Sequence, residues 1–325
     1  MGHSRMQKPG VSGRCSGSPV DLGPATGTLL ATIGVPVRAV VALPGSWPAG
    51  PPHGSYRLDL ADGRTVKLRQ SISAARAREY ALLVRDVADP RLVRVLARRL
   101  DLTLEEWVPG ASLEKAAIRD EHVTAGAALL GSIHAVERTG ARAVGQTAST
   151  RPVREALETD VRTLCDVGAI GEDRARQLLA AAARHDPRVA ATSVIHKDLC
   201  PENLVVDSHG MLRAVDNEWM TVGPTGFDLA RTWYRWPMPA RMWRTFLSVY
   251  ARFADPEPAL AHFTFWRIAV VAKSAGVRIT RQLAGAHVAL QALAALADEA
   301  DAGGTRPEPV SGRFAGVATR RGRPA

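Results

Sequence analysis

The sequence predicts an α+β protein in two lobes, a small β-rich one followed by a larger helical one, and three observations carry that reading. Between Val37 and Val108, apolar residues alternate in short runs separated by turn residues, which is strand patterning. Beyond Gly110, Ala/Leu-rich stretches with helical spacing dominate. Strand-like runs return only between Val194 and Trp219. The expected division is a disordered tail over 1–26, a first lobe over 27–107, a second over 108–302 and a disordered basic tail over 303–325.

The elements follow in order. TLLATIG (Thr28–Gly34) is expected as a short helix and VRAVVAL (Val37–Leu43) as a strand, followed by the Gly/Pro-rich LPGSWPAGPPHG. SYRLDL (Ser55–Leu60) alternates as a second strand, Asp62-Gly63 is a hairpin turn, and RTVKLRQ (Arg64–Gln70) is the third strand. A helix starts at Ser73, with apolar residues at Tyr80, Leu82, Leu83 and Val87. RLVRVLARRL and LTLEEWV supply two more strands, and Pro109-Gly110 closes this half. Helical spacing then covers 112–137, 152–167, 172–185, 239–254 and 258–300. A cleft between two such lobes is a favoured place for a small ligand.

Composition narrows the class. The chain has 325 residues, 46% of them hydrophobic, enough for a sizeable core. No run of about eighteen apolar residues appears, so no membrane span is expected. The basic start lacks an apolar core for a secretory signal, which makes a cytoplasmic location the default. Cys15, Cys165 and Cys200 are odd in number and lack zinc spacing, which argues against a disulfide framework or a structural zinc. Of the net charge of +10, six units sit at the two ends: Arg5, Lys8 and Arg14 against Asp21, and Arg306, Arg313, Arg320, Arg321 and Arg323 against Glu308. Solvated tails account for that balance, and no nucleic-acid partner is expected.

The chemistry concentrates in HKDLCPENLVVDSHGMLRAVDNEW, which places His196, Asp198, Asn203 and Asp216 close together. An ionised Asp198 can orient an attacking hydroxyl or accept its proton. The amide oxygen of Asn203 and the carboxylate of Asp216 are hard ligands suited to Mg²⁺, which takes one or two protein oxygens together with phosphates. The strands LVV and LRAV, joined at Ser208-His209-Gly210, form a hairpin able to bring those two oxygens to one ion. A hydroxyl nucleophile, a metal and no protein nucleophile suit phosphoryl transfer, whose work is positioning and charge neutralisation.

The order H-x-D-x-x-x-x-N, then a hairpin, then an acid, resembles the catalytic loop of the protein-kinase-like fold. It is most similar to the aminoglycoside phosphotransferase and choline kinase family, whose loop usually reads H-G-D-x-x-x-x-N. VGPTGFDLAR (Val222–Arg231) resembles that family's G-[DP]-x-x-x-D-L-A segment, and LEEWVPG (Leu104–Gly110) resembles its inter-lobe hinge. The resemblance spans roughly residues 35–235 and implies a bilobal kinase-like fold with the nucleotide on the first lobe. It implies Asp198 as the catalytic acid, Asn203 and Asp216 as Mg²⁺ ligands, and His196 and Asp228 as supports of the loop. It also implies ATP or GTP as co-substrate, with its base edge received by the hinge backbone at Glu106, Trp107 and Val108.

The family's phosphate grip is a basic residue on the third strand paired with a helical glutamate. Register points to Arg69 with Glu79 as its acid, and Lys67, on the same strand face, competes for the role. LPGSWPAGPPHG departs from a glycine-rich phosphate loop, and Lys197 stands where the family usually has glycine.

On the acceptor side, Trp233, Tyr234, Trp236 and Trp243 either line a substrate site with Arg231, Arg235 and Arg241 or pack the helical core. A polycationic aminoglycoside would want a strongly acidic pocket, whereas the middle of this chain is mildly basic. The expected function is a small-molecule O-phosphotransferase that moves the γ-phosphate of ATP or GTP to a substrate hydroxyl, with antibiotic modification as one candidate role. A protein kinase is the main competitor, but VDNEWMTVGPTG leaves very little room for an activation segment. A non-catalytic nucleotide-binding protein fits the atypical Arg69 yet sits poorly with intact Asp198, Asn203 and Asp216.

Overall fold

The computed structural model describes residues 23–43, 54–115, 118–136, 147–236 and 238–301. Most of LPGSWPAGPPHG and most of the two expected tails lie outside the described residues. The first helix, α1 (Gly23–Ala31), begins earlier than expected, so residues 23–26 belong to it and not to a tail. Thr26 is already buried there.

Five antiparallel strands form the first sheet: β1 (Val37–Ala42), β2 (Ser55–Leu60), β3 (Thr65–Gln70), β4 (Val95–Arg99) and β5 (Leu102–Glu106), in the order β1-β2-β3-β5-β4. Alternation gives this sheet two unlike faces. Leu58, Leu60, Val66, Leu68, Leu102 and Leu104 point one way and form a small core with Leu29 of α1. Lys67, Arg69, Thr103 and Glu105 point the other way, with Lys67 opposite Glu105 and Arg69 opposite Thr103 across β3 and β5. Helix α2 (Ala74–Val87) is capped by the Ser73 hydroxyl, which accepts from the Arg76 amide at 3.1 Å. Its buried residues Tyr80, Leu83 and Val84 join the large core of the second half.

Two further links join the halves. The Arg91 carbonyl accepts from the Ala214 amide at 2.7 Å, and Leu92 forms a parallel bridge with Ala214. After the hinge, Gly110 has φ +148 and lies so close to the next sheet that a Cβ would sit 2.3 Å from the Val206 carbonyl. A side chain there would force the hinge away from Val205 and Val206.

The second half holds two three-stranded sheets and the remaining helices. β6 (Ala111–Ser112), β9 (Leu204–Val206) and β10 (Leu212–Ala214) make one sheet. β7 (Thr147–Ser149), β8 (Val189–Ile195) and β11 (Thr221–Pro224) make the other. The helices are α3 (Asp120–His134), α4 (Arg151–Asp166), α5 (Glu172–His185), α6 (Thr225–Arg235), α7 (Ala240–Tyr250), α8 (Glu257–Leu260), α9 (Phe263–Thr280) and α10 (Ala286–Asp301). The expected helix over 112–137 starts only at Asp120, and the stretch 258–300 resolves into three helices. Left-handed Gln282 and Gly285 turn the chain between α9 and α10.

α9 is the central post, with Phe263, Phe265, Trp266, Ile268, Val270 and Val271 fully buried. Each such side chain contributes about 1.5–3 kcal/mol by leaving water. Trp243 stacks on Phe246 with centroids 5.2 Å apart, and buried Trp236 donates to the Leu199 carbonyl at 3.0 Å. Both tryptophans therefore serve the core. No helix among the described residues is long and apolar enough to cross a membrane.

Candidate active site

The segment carrying Asp198 is aimed by the sheet behind it. β8 pairs with β11 so that Ile195 lies opposite Thr221, and the loop after β8 leaves beside the segment that precedes β11. Asp228, in the first turn of α6 and 1% exposed, accepts from the backbone amides of both His196 and Lys197, the latter at 2.7 Å. His134 contacts the same carboxylate at 3.3 Å and is fixed on its other side by the Tyr250 hydroxyl at 2.7 Å. The His196 ring receives the Asp198 amide at Nδ1, 3.2 Å, so its Nε2 carries the hydrogen donated to Asn217 Oδ1 at 2.8 Å. His196 and Asp228 thus both hydrogen-bond within the segment that carries Asp198.

Lys197 explains why glycine suits its position: φ is +67, a left-handed conformation that costs a side-chain-bearing residue about 1 kcal/mol. The Asp228 carboxylate holds that conformation. Burial, followed by repulsion from Lys273 and Arg76, pulls the Lys197 ammonium below its ordinary pKa.

Asp198 is held from three directions. Arg231 donates to Oδ1 at 2.6 Å, Asn203 Nδ2 donates to Oδ2 at 3.1 Å and to the Asp198 carbonyl at 3.0 Å, and the Cys200 thiol lies 3.8 Å from Oδ1. Burial raises the Asp198 pKa, but the charges of Arg231 and Arg235 outweigh it, and the net direction is downward. The carboxylate is therefore ionised at neutral pH.

The β9–β10 hairpin brings the next acid alongside. Val215 donates its amide to the Asn203 carbonyl at 2.8 Å, and Asp216 follows in a left-handed conformation, φ +58. Lys67 and Arg69, the two rival candidates on β3, both reach Asp216 Oδ1. Arg69 is 6% exposed and also binds Glu105 at 3.0 Å and Glu218 at 2.6 Å. Burial raises the Asp216 pKa, but the two cations more than reverse this and hold it well below the carboxylate range. Glu218 moves the other way, pushed up to about 7 by burial and by the neighbouring Asp216 and Glu105, against the pull of Arg69 and Lys67.

One expected pair does not form. Glu79 is bound by Arg76, one turn before it, and by the Thr221 hydroxyl at 2.8 Å, while the acids on Arg69 are Glu105, Glu218 and Asp216. Arg76 also donates to the carbonyls of Glu218 and Met220, so Glu79 and Arg76 tie α2 to the Asp216 segment. At the hinge, the Glu106 amide donates to the Arg94 carbonyl at 2.9 Å and its carboxylate binds Arg213 at 2.9 Å. No backbone hydrogen bond joins the amides of Trp107 or Val108 to another described residue. Among the described residues, these two hinge amides have no backbone acceptor, unlike that of Glu106.

Sequence reasoning named Arg231 as an acceptor-side cation but missed its ion pair with Asp198, and it missed Glu105 and Glu218 as partners of Arg69. The Arg231–Asp198 pair was findable, because Arg231 lies one helical turn beyond Asp228 and so shares the face turned to the segment after β8. Glu105 depended on the pairing register of β3 with β5, which no local pattern states.

Comparisons with known proteins bear on the family and the fold. The model of the phosphotransferase enzyme family matches residues 55–263. Among solved structures, an aminoglycoside phosphotransferase from Alicyclobacillus acidocaldarius has a TM-score of 0.59 at 15% identity, covering 89% of this chain and 96% of that one. Choline kinase LicA from Streptococcus pneumoniae has a TM-score of 0.57 at 16% identity, covering 82% and 96%. Macrolide 2'-phosphotransferase MphH from Brachybacterium faecium has a TM-score of 0.55 at 20% identity, covering 81% and 95%. Mitogen-activated protein kinase 4 of Mus musculus is 29% identical over 94 residues, but the match spans only 26% of this chain and 16% of that protein's length. With the kinase-like fold shared and the family model matching well over half of its length, the chain belongs to the phosphotransferase enzyme family.

Proposed function

We propose that the protein is a Mg²⁺-dependent O-phosphotransferase that moves the γ-phosphate of ATP or GTP to the hydroxyl of a small molecule. The observation that carries this reading is an ionised Asp198, pinned by Arg231 and Asn203, beside a hairpin that presents Asp216 to Lys67 and Arg69. Asp198 orients the acceptor hydroxyl and takes its proton as the new oxygen–phosphorus bond forms. The bond from the γ-phosphorus to the bridging oxygen breaks in the same in-line exchange, and the nucleoside diphosphate leaves. Lys67 and Arg69 lie where they can neutralise charge on the phosphates, Arg69 with a planar fork and Lys67 as a point charge. The amides of Trp107 and Val108 suit the edge of the base.

The donor set fits Mg²⁺. Lys67 and Arg69 both take Oδ1 of Asp216, which leaves Oδ2 for a further cation, and its side chain is 41% exposed. The Asn203 amide nitrogen is spent on Asp198, so its oxygen is the end left for a metal. An amide and one carboxylate are the sparse set that Mg²⁺ uses alongside phosphates, and no cluster of three His, Cys, Asp or Glu able to hold a metal occurs among the described residues. Bound by Asn203 and Asp216, Mg²⁺ would supply neutralisation of the phosphate charge.

A small-molecule acceptor is preferred to a protein because only a short helical turn and β11 separate Asp216 from α6. Purified protein is expected to transfer phosphate from ATP or GTP to members of a hydroxyl-compound panel, read by mass spectrometry. Asp198→Ala should reduce turnover by about 10²–10⁴-fold while leaving nucleotide affinity unchanged. Turnover of Asp198→Ala at the wild-type rate would remove Asp198 from the mechanism.

A further inference from the structure

The acceptor side carries more positive charge than its own acids balance. Arg231 and Arg235 lie one turn apart on α6 and face the catalytic segment, where Arg231 binds Asp198 and Arg235 binds Glu202, each at 2.6 Å. Helix α9 packs against α6, with the Ser274 hydroxyl 3.4 Å from the Tyr234 hydroxyl between Arg231 and Arg235, and Arg278 follows one turn further along α9. Arg278 donates to the Ala284 carbonyl and has no carboxylate partner among the described residues. Three guanidiniums therefore share two carboxylates.

One of those carboxylates is committed elsewhere during the reaction. Asp198 must turn to the acceptor hydroxyl, which weakens its hold on Arg231, whose buried Nε already lacks a hydrogen-bond partner. Arg278 is half-buried, and burial, then repulsion by Arg235 and Arg231, pulls its pKa below the ordinary value. Lys197, next to Asp198, and exposed Lys273, the residue before Ser274 on α9, add cations of the same sign nearby. The side chains of Arg231 and Arg235 keep 18% of their surface exposed, so an incoming group can reach them.

We infer that the acceptor is a hydroxylated small molecule bearing an anionic group, a carboxylate or a phosphate, which Arg231, Arg235 and Arg278 hold while its hydroxyl meets Asp198. The inference rests on the phosphotransferase reading above. Guanidiniums bind such oxyanions through paired hydrogen bonds, and like-charge contacts reject the wrong partner. The same three groups that hold an anion turn a polycation away.

A matched set of three-carbon alcohols tests this: glycerol, glycerate, glycerol 3-phosphate and 3-amino-1,2-propanediol, titrated into the full chain with ligand-observed NMR. Glycerate and glycerol 3-phosphate should bind about tenfold or more tightly than glycerol, and the amine should bind most weakly. Comparing the two anions separates a carboxylate site from a phosphate site. Arg278→Met and Arg235→Met should each remove most of that advantage, and Arg278→Lys should keep part of it. ATP affinity, measured on every variant, reports that the fold is intact. An affinity order without an anion advantage, or an advantage that survives Arg278→Met in a protein that still binds ATP, overturns the inference. The two readings fail differently. A neutral or cationic alcohol phosphorylated best leaves the phosphotransferase standing and removes the anionic acceptor, whereas wild-type protein that binds no nucleotide removes the phosphotransferase.

Discussion

The two sides of the cleft are built from the same residue types in opposite proportion. On the first side, Lys67 and Arg69 face three carboxylates, Asp216, Glu218 and Glu105. On the second, Arg231, Arg235 and Arg278 face two, Asp198 and Glu202. The acid excess suits a divalent cation and strains one carboxyl upward, as Glu218 shows. The cation excess suits an anion and keeps Asp198 ionised. In the proposed reading, each side carries the charge opposite to what it receives.

The largest contrast expected between the sides is in stability. Arg69 is the buried pivot of its cluster, and Glu105 beneath it is fully buried with one oxygen already lacking a partner. Arg69→Met should destabilise the fold by about 3–5 kcal/mol, because it leaves that carboxylate without its cation. Adding Glu105→Gln should recover much of the loss. Arg231→Met, at a partly exposed pair, should cost only about 0–1 kcal/mol. Urea denaturation of the three variants measures this, and equal losses for Arg69→Met and Arg231→Met would erase the distinction between a structural cluster and a functional one.

What the sequence made legible follows the same division between local and non-local causes. The strands β1 to β5 and the Asp62-Gly63 turn were readable because alternation and turn chemistry are local. The loop from His196 to Asp216 was readable because its chemistry lies within one short segment. The Arg69–Glu79 pair failed because counting along the chain ignores competition: Arg76 reaches Glu79 from three residues away, while register puts Glu105 beside Arg69. The helical run 258–300 looked continuous because apolar spacing persists through it, and its breaks depend on left-handed residues such as Gln282 that carry no turn signature.

The second contrast is in pH dependence. In the proposed mechanism Asp198 acts as an ionised base, so kcat/KM should fall as pH drops through its pKa. Burial raises that pKa, and Arg231 is the foremost group lowering it. Arg231→Met should therefore move the acid limb to higher pH, with a deficit that widens as pH falls and narrows toward pH ~8, well above the reference carboxylate pKa. Arg76→Met, on the other side of the cleft, should leave the limb in place. An acid limb unmoved by Arg231→Met would show that the ion pair does not set the state of Asp198.

Lys197 stands at the junction of the two sides and gives a smaller effect of mixed sign. Replacing a left-handed lysine by glycine relieves backbone strain, so Lys197→Gly should stabilise the protein by about 0.5–1 kcal/mol. The same change removes a cation beside Asp198, so activity should fall while stability rises. A loss of stability, followed by thermal denaturation, would mean that the Lys197 side chain contributes more packing than its backbone costs.

The smallest expected effect bears most directly on the charge balance of the acceptor side. Glu202 is an exposed residue that neutralises Arg235 and makes no hydrogen bond to Asp198 among the described residues. Glu202→Gln frees that guanidinium and raises the cation excess by one unit. Because the pair is solvent-screened, glycerate should bind only about twofold tighter, a change on the scale of exposed ion pairs. The gain should shrink as salt rises from about 0.01 to 0.15 M, where the screening length falls from about 30 to 8 Å. ATP affinity should not change. Weaker glycerate binding in Glu202→Gln would mean that Glu202 positions Arg235 for the anion instead of competing with it.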